Sequence, residues 1–406
     1  MLPPAPAATV QFGSPNACNL CHKDKDAAWA DQNVRQWRTR DYQAPLLERA
    51  GLIDAARKRD WQKLPDMLTY ITSEKRDEVF VASLLRLTMA AQDERVHPVL
   101  FKAIRDPSPL VRAAAAEALS VRPGQESYQA LLTAAGDSYR LVRVRAAASL
   151  SRYPAAWFQG EDLEKVKKAT AEYLASLTAR PDQWSSHYNL GNYYLNRGEV
   201  RQALASYDTA LKIEPRAAMV MVNAAMAHAQ MGEKSLAEKS LVQAIKIAPD
   251  NAAAHFNLGL LQAEQNRVKE AERELKEAIR LDPKMAPAAY NLCILTGKDR
   301  PAEALSWCRQ AVALNPQEPK YAYTLAFYQK EQGDIKGAAV TLKDLLARRP
   351  GFASAYFLLA EIYLKQGERS QAEAVLRQAQ EVESLSPRDR ARVAAALQEL
   401  TSPEPQ

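Results

Sequence analysis

A ladder of evenly spaced prolines runs through the second half of the 406-residue chain. Pro215, Pro249, Pro283, Pro316 and Pro350 are 34, 34, 33 and 34 residues apart, and each ends a phrase of one shape, such as SLAEKSLVQAIKIAP or EAERELKEAIRLDP. A period of this length is typical of stacked units that cannot bury their own apolar face alone. Small and apolar residues recur at helical spacing on both sides of a break within each unit, which predicts two antiparallel helices per repeat.

The first of these units carries the pattern of a known repeat. The phrase HYNLG, which begins at His187, is followed at fixed distances by Tyr194, Gly198, Ala203, Tyr207, Ala210 and Pro215. This pattern resembles the tetratricopeptide repeat (TPR), and five drifting copies follow it. The resemblance implies an all-α fold, a right-handed α-solenoid, with six TPRs over residues 184–385. A connecting half-repeat at 161–183 is expected before them, and a capping helix and tail at 386–406 after them.

A second array of helix pairs is predicted ahead of the TPRs. The phrases DPSPLVRAAAAEALS at 106–120 and DSYRLVRVRAAASLS at 137–151 match at an offset of 31 residues, and residues 75–88 form a weaker copy. These phrases resemble HEAT repeats, which are also helix pairs. The resemblance assigns residues 41–160 to HEAT-like repeats.

Charged residues recur inside the HEAT-like phrases. Asp106 with Arg112 and Asp137 with Arg143 keep the same spacing, which predicts an ion-pair ladder that links adjacent repeats. An alternative use of these side chains is a basic docking surface made by Arg140, Arg143 and Arg145.

One motif near the N-terminus carries chemistry of its own. Cys18-Asn19-Leu20-Cys21-His22 is the C-x-x-C-H signature of c-type haem attachment. Two thiols three residues apart add across the two vinyl groups of one haem, and the adjacent histidine is placed to ligate the iron. The alternatives are a fortuitous pair of thiols or half of a zinc site, and the sequence holds no second C-x-x-C to complete a zinc site.

The phrase around this motif, PNACNLCHKDKDAAWADQNVRQW, has a resemblance of its own. It is similar to the last haem-binding segment of multihaem cytochromes c with paired C-x-x-C-H motifs, which continue into HEAT-like and TPR repeats. The resemblance implies one covalent haem c on Cys18 and Cys21, with His22 as the proximal iron ligand and the helix of Trp29 and Trp37 over the haem edge. Such relatives carry several haem motifs, whereas this chain carries one.

The residues before the motif form the rest of an N-terminal segment over residues 1–40. Residues 1–17 are rich in proline and alanine and hold no charged residue, which predicts an extended lead-in rather than a helix. They show no basic n-region and no sustained apolar run, so no signal peptide is expected within this chain.

The sixth ligand of a haem iron is less constrained. His97, next to Pro98 at a predicted helix start, is the one candidate histidine outside the TPRs. A ligand from a preceding segment, a methionine ligand or an open iron are the alternatives. His187, His228 and His255 sit at repeat positions that pack one helix against another, so we expect packed or hydrogen-bonded histidines there.

The TPR resemblance also implies a partner groove along the first helix of each repeat. The residues at or beside its groove-facing positions are Tyr188, Asn189, Asn192, Val222, Asn223, Met226, Phe256, Asn257, Leu260, Tyr290, Asn291, Ile294, Tyr323, Phe327 and Phe357. Such a lining suits an extended peptide or a partner helix, with the asparagines available to bind its backbone. The alternative is ordinary packing within the array.

Two further cysteines, Cys293 and Cys308, fall on the two helices of the fourth repeat, which is one residue short. A disulfide between them is one alternative and requires an oxidising compartment such as the periplasm. Two buried free thiols are the other alternative and are preferred, because core helices often bring small residues together without bonding.

Composition and motifs narrow the function classes. The chain is 47% hydrophobic and 25% charged, and its net charge is +6. Its lysines and arginines are interleaved with acidic residues rather than collected in runs, so nucleic-acid binding is not expected. No transmembrane segment is expected. There is no G-x-S-x-G, phosphate loop or H-E-x-x-H motif, so any catalysis is expected to proceed through haem.

Three functions are consistent with these features. The leading hypothesis is a periplasmic c-type cytochrome-like electron-transfer protein whose TPR and HEAT-like solenoid docks a redox protein or another protein partner. A non-haem TPR interaction scaffold is the first alternative. The C-terminal part of a multihaem reductase is the second.

Overall fold

The computed structural model describes residues 4–38, 40–91 and 93–401, with Thr401 described for its backbone alone. These residues form α-helices joined by short turns, and the described ranges contain no strand. The expected all-α fold built from helix pairs is therefore confirmed. None of the described helices is both long enough and apolar enough to cross a membrane. The chain divides into two compact units, residues 1–203 and 204–406.

Unit 1 begins with four helices. They are α1 (Pro6–Phe12), α2 (Ala17–Cys21), α3 (Ala27–Trp37) and α4 (Ala44–Arg57). The prediction that residues 1–17 are extended is wrong for Pro6–Phe12, and residues 1–3 lie outside the described ranges. Pro6 suits the first turn of a helix, and Gly13 ends α1 with a left-handed φ of 66°. Ala7 is buried and its amide donates to Gln43 Oε1 at 3.0 Å, which fixes α1 against α4.

The HEAT-like part of unit 1 follows. Its helices are α5 (Leu64–Thr72), α6 (Glu78–Leu87), α7 (Val96–Ala103), α8 (Pro109–Ala118), α9 (Gln125–Ala135), α10 (Arg140–Leu150) and α11 (Gly160–Thr178), and α12 (Trp184–Asn196) comes next. Helices α6, α8, α10 and α11 pack side by side in that order. The alanines of α8 are fully buried, and such small side chains let neighbouring helices approach closely.

Arginine–carboxylate pairs link successive HEAT-like repeats. The pairs are Arg76 with Asp106, Arg112 with Asp137, and Arg143 with Glu172. The predicted ladder between adjacent repeats is therefore present, because each arginine pairs with the acid of the following repeat. Within its own repeat, Arg112 Nη1 donates to the backbone carbonyl of Asp106 at 2.7 Å, not to its carboxylate. Burial alone would raise the pKa of Asp137, but hydrogen bonds from Arg112 and the Tyr139 amide hold that pKa below its usual value.

The Arg112–Asp137 pair is expected to matter more than an exposed ion pair. Arg112 donates to both oxygens of Asp137, at 2.7 and 3.0 Å, and the two side chains are only 12% and 13% exposed. Arg112→Gln leaves a largely buried carboxylate without its partner, so we expect a loss of about 2 kcal/mol in the free energy of unfolding. Urea denaturation followed by far-UV circular dichroism measures this loss.

A matched control is available in the same unit. Arg95 pairs with Asp93 and is 60% exposed, so Arg95→Gln is expected to leave the free energy of unfolding almost unchanged, because solvent screens the pair. Adding Asp137→Asn to Arg112→Gln should recover part of the loss, because the uncompensated charge is removed. Equal losses for the two single variants would contradict this account of the ladder.

Unit 2 continues the helical pattern. Helix α13 (Val200–Ile213) leads into it, and its other helices are α14 (Ala218–Gln230), α15 (Lys234–Ile247), α16 (Ala252–Glu264), α17 (Val268–Leu281), α18 (Ala286–Thr296), α19 (Pro301–Leu314), α20 (Pro319–Glu331), α21 (Ile335–Arg348), α22 (Ala353–Lys365), α23 (Arg369–Gln380) and α24 (Pro387–Thr401). From α14 to α23 the helices pack as consecutive pairs, and α24 packs on α23. The first helices of successive repeats also contact one another, as α14 and α16 do.

The turn between the two helices uses a left-handed residue in four repeats of unit 2, the fourth repeat being the exception, where Gly297 has a φ of −56°. Gly232, Gly333 and Gly367 have φ values of 77°, 80° and 76° after the first helices of their repeats. Asn266 takes the same position in its repeat, with a φ of 59°. Glycine and asparagine are the residues that adopt this conformation most readily, which explains their recurrence at the helix ends.

A cluster of charges joins the third and fourth TPRs. Glu272 of α17 accepts hydrogen bonds from Arg300 at 2.9 Å and pairs with Lys276 at 2.7 Å, and both cations also contact Glu303 of α19. The hydrogen bond from Arg300, followed by that from Lys276, lowers the pKa of Glu272 to about 2 from the usual 4.5. The ionised form of Glu272 therefore favours the folded state.

This cluster predicts a pH dependence of stability. Because the folded pKa of Glu272 is the lower one, its contribution is complete above about pH 4.5 and is lost as the pH falls towards 2. We expect the denaturation midpoint to fall across this window, and to fall less steeply in Glu272→Gln. Urea denaturation of both proteins at a series of pH values tests this. Parallel pH profiles for the two proteins would contradict it.

Cys293 of α18 and Cys308 of α19 form a disulfide, with Cα atoms 5.2 Å apart. The prediction of two free thiols at these positions is therefore wrong. Both residues are fully buried where the two helices of the fourth repeat face each other, so each sulfur lies within bonding reach of the other.

Candidate functional sites

The C-x-x-C-H motif lies on the short helix α2. The Asn16 side chain caps this helix by accepting from the Asn19 amide at 3.2 Å, and Asn19 Nδ2 donates to the carbonyl of Lys25 at 2.7 Å. Cys18 is half-buried, whereas Cys21 and the C-capping His22 are exposed. One helical turn separates the two thiols, which therefore lie on the same side of α2.

The surroundings of the motif are open. The His22 ring lies beside the Trp29 ring of α3, with centroids 4.9 Å apart. Leu20, within the motif, exposes most of its side chain. A half-buried thiol, an exposed thiol, an exposed imidazole and the apolar side chains of Leu20 and Trp29 suit the attachment of an apolar prosthetic group such as haem c. Cys18, Cys21 and His22 are the residues that would hold it.

The remaining histidines lie elsewhere, each with a partner. His97 is on α7, with Nδ1 2.8 Å from Glu94 Oε2. His187 Nε2 lies 2.9 Å from the Pro181 carbonyl, and His255 Nε2 lies 3.0 Å from the equivalent carbonyl of Pro249.

His255 is buried and its Nδ1 is 2.7 Å from Glu274, while His228 Nδ1 is 2.6 Å from Glu233. Packed, hydrogen-bonded histidines were expected at these repeat positions. Among the residues that the structure describes, no three His, Cys, Asp or Glu side chains converge as a metal site.

In unit 2, apolar side chains form an exposed stripe along the first helices of four repeats. Met226, Ile294 and Phe327 are 42%, 47% and 39% exposed, and Leu260 is half-buried. These four residues are 34, 34 and 33 apart in the sequence, so they occupy equivalent positions in consecutive repeats. We call this row the exposed stripe.

A second row of the expected groove residues is tied into the array. Phe256, Tyr290, Tyr323 and Phe357 are half-buried, and Val222 is buried. Tyr290 packs on Tyr321 with ring centroids 4.7 Å apart, and the Arg392 guanidinium lies 4.8 Å from the Phe357 ring centre. This row therefore combines packing between repeats with a partly open surface.

Two asparagines beside that row form hydrogen bonds within their own helices. Asn257 and Asn291 each donate Nδ2 to the carbonyl four residues earlier, at 2.8 Å in both cases. Asn223 is half-buried. The side-chain oxygens of Asn257 and Asn291 are the groups left to accept from a bound peptide.

Three of the expected groove residues lie in unit 1, on α12. Tyr188 packs near Trp184, with ring centroids 6.2 Å apart. Asn189 and Asn192 line a cleft together with residues of α10 and α11. Two basic residues of that cleft, Arg152 and Arg180, are not predicted as site residues from the sequence. They lie two residues beyond the ends of α10 and α11, so no helical-face pattern in the sequence places them there.

Family comparisons agree with the repeats read from the sequence. Residues 64–151 match the HEAT repeats family. Residues 184–217, 222–286 and 329–400 match families described as tetratricopeptide repeat. No curated protein matches the chain.

Several solved structures are also similar to this chain. PilF of Pseudomonas aeruginosa is 23% identical, with 54% of this chain and 99% of that chain covered and a TM-score of 0.44. YrrB, a TPR protein with an unusual peptide-binding site, is 19% identical over 47% and 97% of the two chains, with a TM-score of 0.39. MamA from Desulfovibrio magneticus RS-1 is 22% identical over 42% and 96%, with a TM-score of 0.38. The family matches identify HEAT repeats in the first half of the chain and tetratricopeptide repeats in the second half.

Proposed function

We propose that the protein is an interaction scaffold whose TPRs bind an extended peptide or a helix of a partner protein in unit 2. The exposed stripe carries this proposal. Apolar side chains at one equivalent position of consecutive repeats are available to solvent, and an ordered row of this kind suits apolar anchors spaced along a partner. The half-buried aromatic row beside it supplies pocket walls.

The stripe can be tested with peptides selected from a displayed random library by the full chain. We expect Ile294→Asp and Phe327→Asp to weaken the selected peptides at least about tenfold, a loss of about 1.4 kcal/mol, because a desolvated charge replaces an apolar contact. Val242→Asp is the matched control, since Val242 is 52% exposed but lies on the second helix of its repeat. Peptides that lose affinity with Val242→Asp and keep it with the stripe variants would disprove the proposal.

A second function is favoured by the accessible Cys18, Cys21 and His22 set on α2. We propose that haem c is attached there and that the protein transfers electrons in the bacterial periplasm, with the repeats docking a redox partner. A bound haem would supply one-electron chemistry at iron. The Cys293–Cys308 disulfide supports an oxidising compartment, because such bonds rarely persist in a reducing cytosol.

Attachment can be tested by exporting the chain to the periplasm of cells that mature c-type cytochromes. The expected result is a Soret band and an intact mass increased by one haem. Cys18→Ala with Cys21→Ala should remove both signals and leave the binding of groove peptides unchanged. A colourless wild-type chain of unmodified mass would reject the haem proposal and leave the interaction scaffold.

A further inference from the structure

The methionines of this chain are concentrated on one helix of unit 2. Four of the eight methionines lie within residues 219–231, and these are Met219, Met221, Met226 and Met231. The first three belong to α14, and Met231 caps its C-terminus. Met219, Met226 and Met231 are 49%, 42% and 38% exposed, whereas Met221 is buried. Among the described residues, no methionine outside this segment is exposed to that extent.

Two of these methionines lie on the face of α14 that carries the exposed stripe. Met226 is the first member of the stripe, and Met219 precedes it by seven residues, which is close to two helical turns. Met231 follows Met226 by five residues and therefore belongs to another side of the helix. The other three stripe residues are leucine, isoleucine and phenylalanine. Met226 is thus the one member of the stripe that carries a sulfur atom.

An exposed thioether is open to a reaction that the other stripe side chains do not undergo. Its sulfur attacks one oxygen of a hydroperoxide, and an S–O bond forms as the O–O bond breaks. The departing oxygen takes up the proton and leaves hydrogen peroxide as water. Sulfur is oxidised by two electrons and the peroxide is reduced, and the product is methionine sulfoxide. This change turns a flexible apolar side chain into a polar one and disrupts methionine-rich interfaces.

The position of Met226 gives this reaction a consequence for binding. An apolar anchor of a partner that covers Met226 removes water from its side chain. A sulfoxide oxygen in the same place would lose its hydrogen bonds to water, which is unfavourable unless a new donor replaces them. The α14 helix carries no lysine or arginine to supply such a donor. Oxidation is therefore expected to weaken a partner that rests on this end of the stripe.

We propose that Met219 and Met226 are oxidation sites through which hydroperoxides lower the affinity of the exposed stripe for its partner. The effect is reversible, because methionine sulfoxide reductases return the sulfoxide to the thioether. This inference rests on the peptide binding proposed for unit 2. The selective oxidation of the two methionines rests on their exposure alone and can be measured without a partner.

The first part of the test measures oxidation site by site. The full chain is used with Cys18→Ala and Cys21→Ala, so that neither free thiols nor a bound haem consume the oxidant. After treatment with hydrogen peroxide, mass spectrometry of proteolytic fragments gives the rate at each methionine. Met219 and Met226 should be oxidised at least about tenfold faster than the fully buried Met67, whose sulfur is reached only through local opening of the fold.

The second part measures binding of the peptides selected on the stripe. Oxidation should lower their affinity at least about tenfold, and reductases for both sulfoxide epimers should restore it. The double variant Met219→Leu with Met226→Leu should bind the peptides and keep its affinity through the same treatment. Met231→Leu is the matched control and should lose affinity as the parent chain does. A bound peptide should also slow the oxidation of Met226 and leave that of Met231 unchanged.

The proposal is overturned if Met226 and Met67 are oxidised at equal rates, or if full oxidation of Met219 and Met226 leaves the affinity unchanged. An equal loss in the double leucine variant, or a loss of the far-UV circular dichroism signal on oxidation, would also contradict it. Ile294→Asp separates this failure from that of the proposed function. If Ile294→Asp weakens the peptides and oxidation does not, the stripe still binds partners and only the oxidation sites are rejected. If neither changes the affinity, peptide binding by the stripe is rejected as well.

Discussion

Breaking the disulfide between Cys293 and Cys308 is expected to lower the free energy of unfolding of unit 2 by about 3 kcal/mol, because the bond closes a loop of about 15 residues in the unfolded chain. The double variant Cys293→Ala with Cys308→Ala should show this loss in urea denaturation. Ile294 of the exposed stripe directly follows Cys293, so the bond also fixes the helix that presents the stripe. The affinity of groove peptides is therefore expected to fall in the same variant.

Reduction of the wild-type chain is the matched control. A phosphine reductant should shift the wild-type midpoint towards that of the double variant and leave the variant itself unchanged. Thiol titration of unfolded, unreduced protein should find at most the two thiols of Cys18 and Cys21. Four titratable thiols, or a wild-type midpoint that does not respond to reduction, would contradict the disulfide.

The repeat period in the sequence predicts most of the fold, because each helix pair is a local structure set by residues close in the chain. The small buried alanines, such as Ala237 and Ala244, lie where the period places them. The exception is α1. Its sequence is rich in proline and holds no charged residue, which predicts an extended segment, but the seven residues from Pro6 to Phe12 form a helix. Its stability comes from contacts with α3 and α4, which no local pattern reports.

Sites were harder to anticipate than helices. The period places Ile294 and Phe327 at one repeat position, but their exposure follows from packing that sequence spacing does not specify. The cleft beside Asn189 depends on side chains of α10, α11 and α12, and Arg145 shares it with Asn189 only because these helices stack. The spacing predicts the ladder between adjacent HEAT-like repeats, but it does not specify that Arg143 meets Glu172 of α11. Contacts between repeats need tertiary geometry, whereas contacts within a repeat can be read from the spacing.

The disulfide illustrates a signal that the sequence does contain. Counting along the repeats places Cys293 at the position of Gly259 and Cys308 at the position of Leu275. In the third repeat these two positions touch, since a Cβ added to Gly259 would lie 2.9 Å from Leu275 Cγ. Two cysteines at a pair of touching positions are within reach of a bond. Aligning the repeats against each other therefore favours the disulfide over two free thiols.

The same close approach makes Gly259 a sensitive position. Gly259→Val is expected to destabilise unit 2 by about 3 kcal/mol, because the new side chain overlaps Leu275 and also meets the backbone oxygen of Ala271 at 3.1 Å from its Cβ. Leu275 can change rotamer, but the Ala271 carbonyl belongs to the backbone of α17 and moves only if the helix moves. We expect α16 and α17 to separate, and urea denaturation followed by circular dichroism should show a lowered midpoint.

Ala253→Val provides the control for this effect. Ala253 lies on the same helix and is exposed. This variant should therefore lower the free energy of unfolding only by the lower helix propensity of valine, about 0.5 kcal/mol, because the new side chain overlaps no neighbour. Hydrogen exchange should locate the damage of Gly259→Val in α16, α17 and the neighbouring repeats, because stability in a stacked array passes between nearest neighbours. If Gly259→Val and Ala253→Val lower the midpoint equally, the two helices do not pack at the observed distance. A larger loss confined to Gly259→Val means that the glycine sets the spacing between α16 and α17, and with it the position of Leu260 in the exposed stripe.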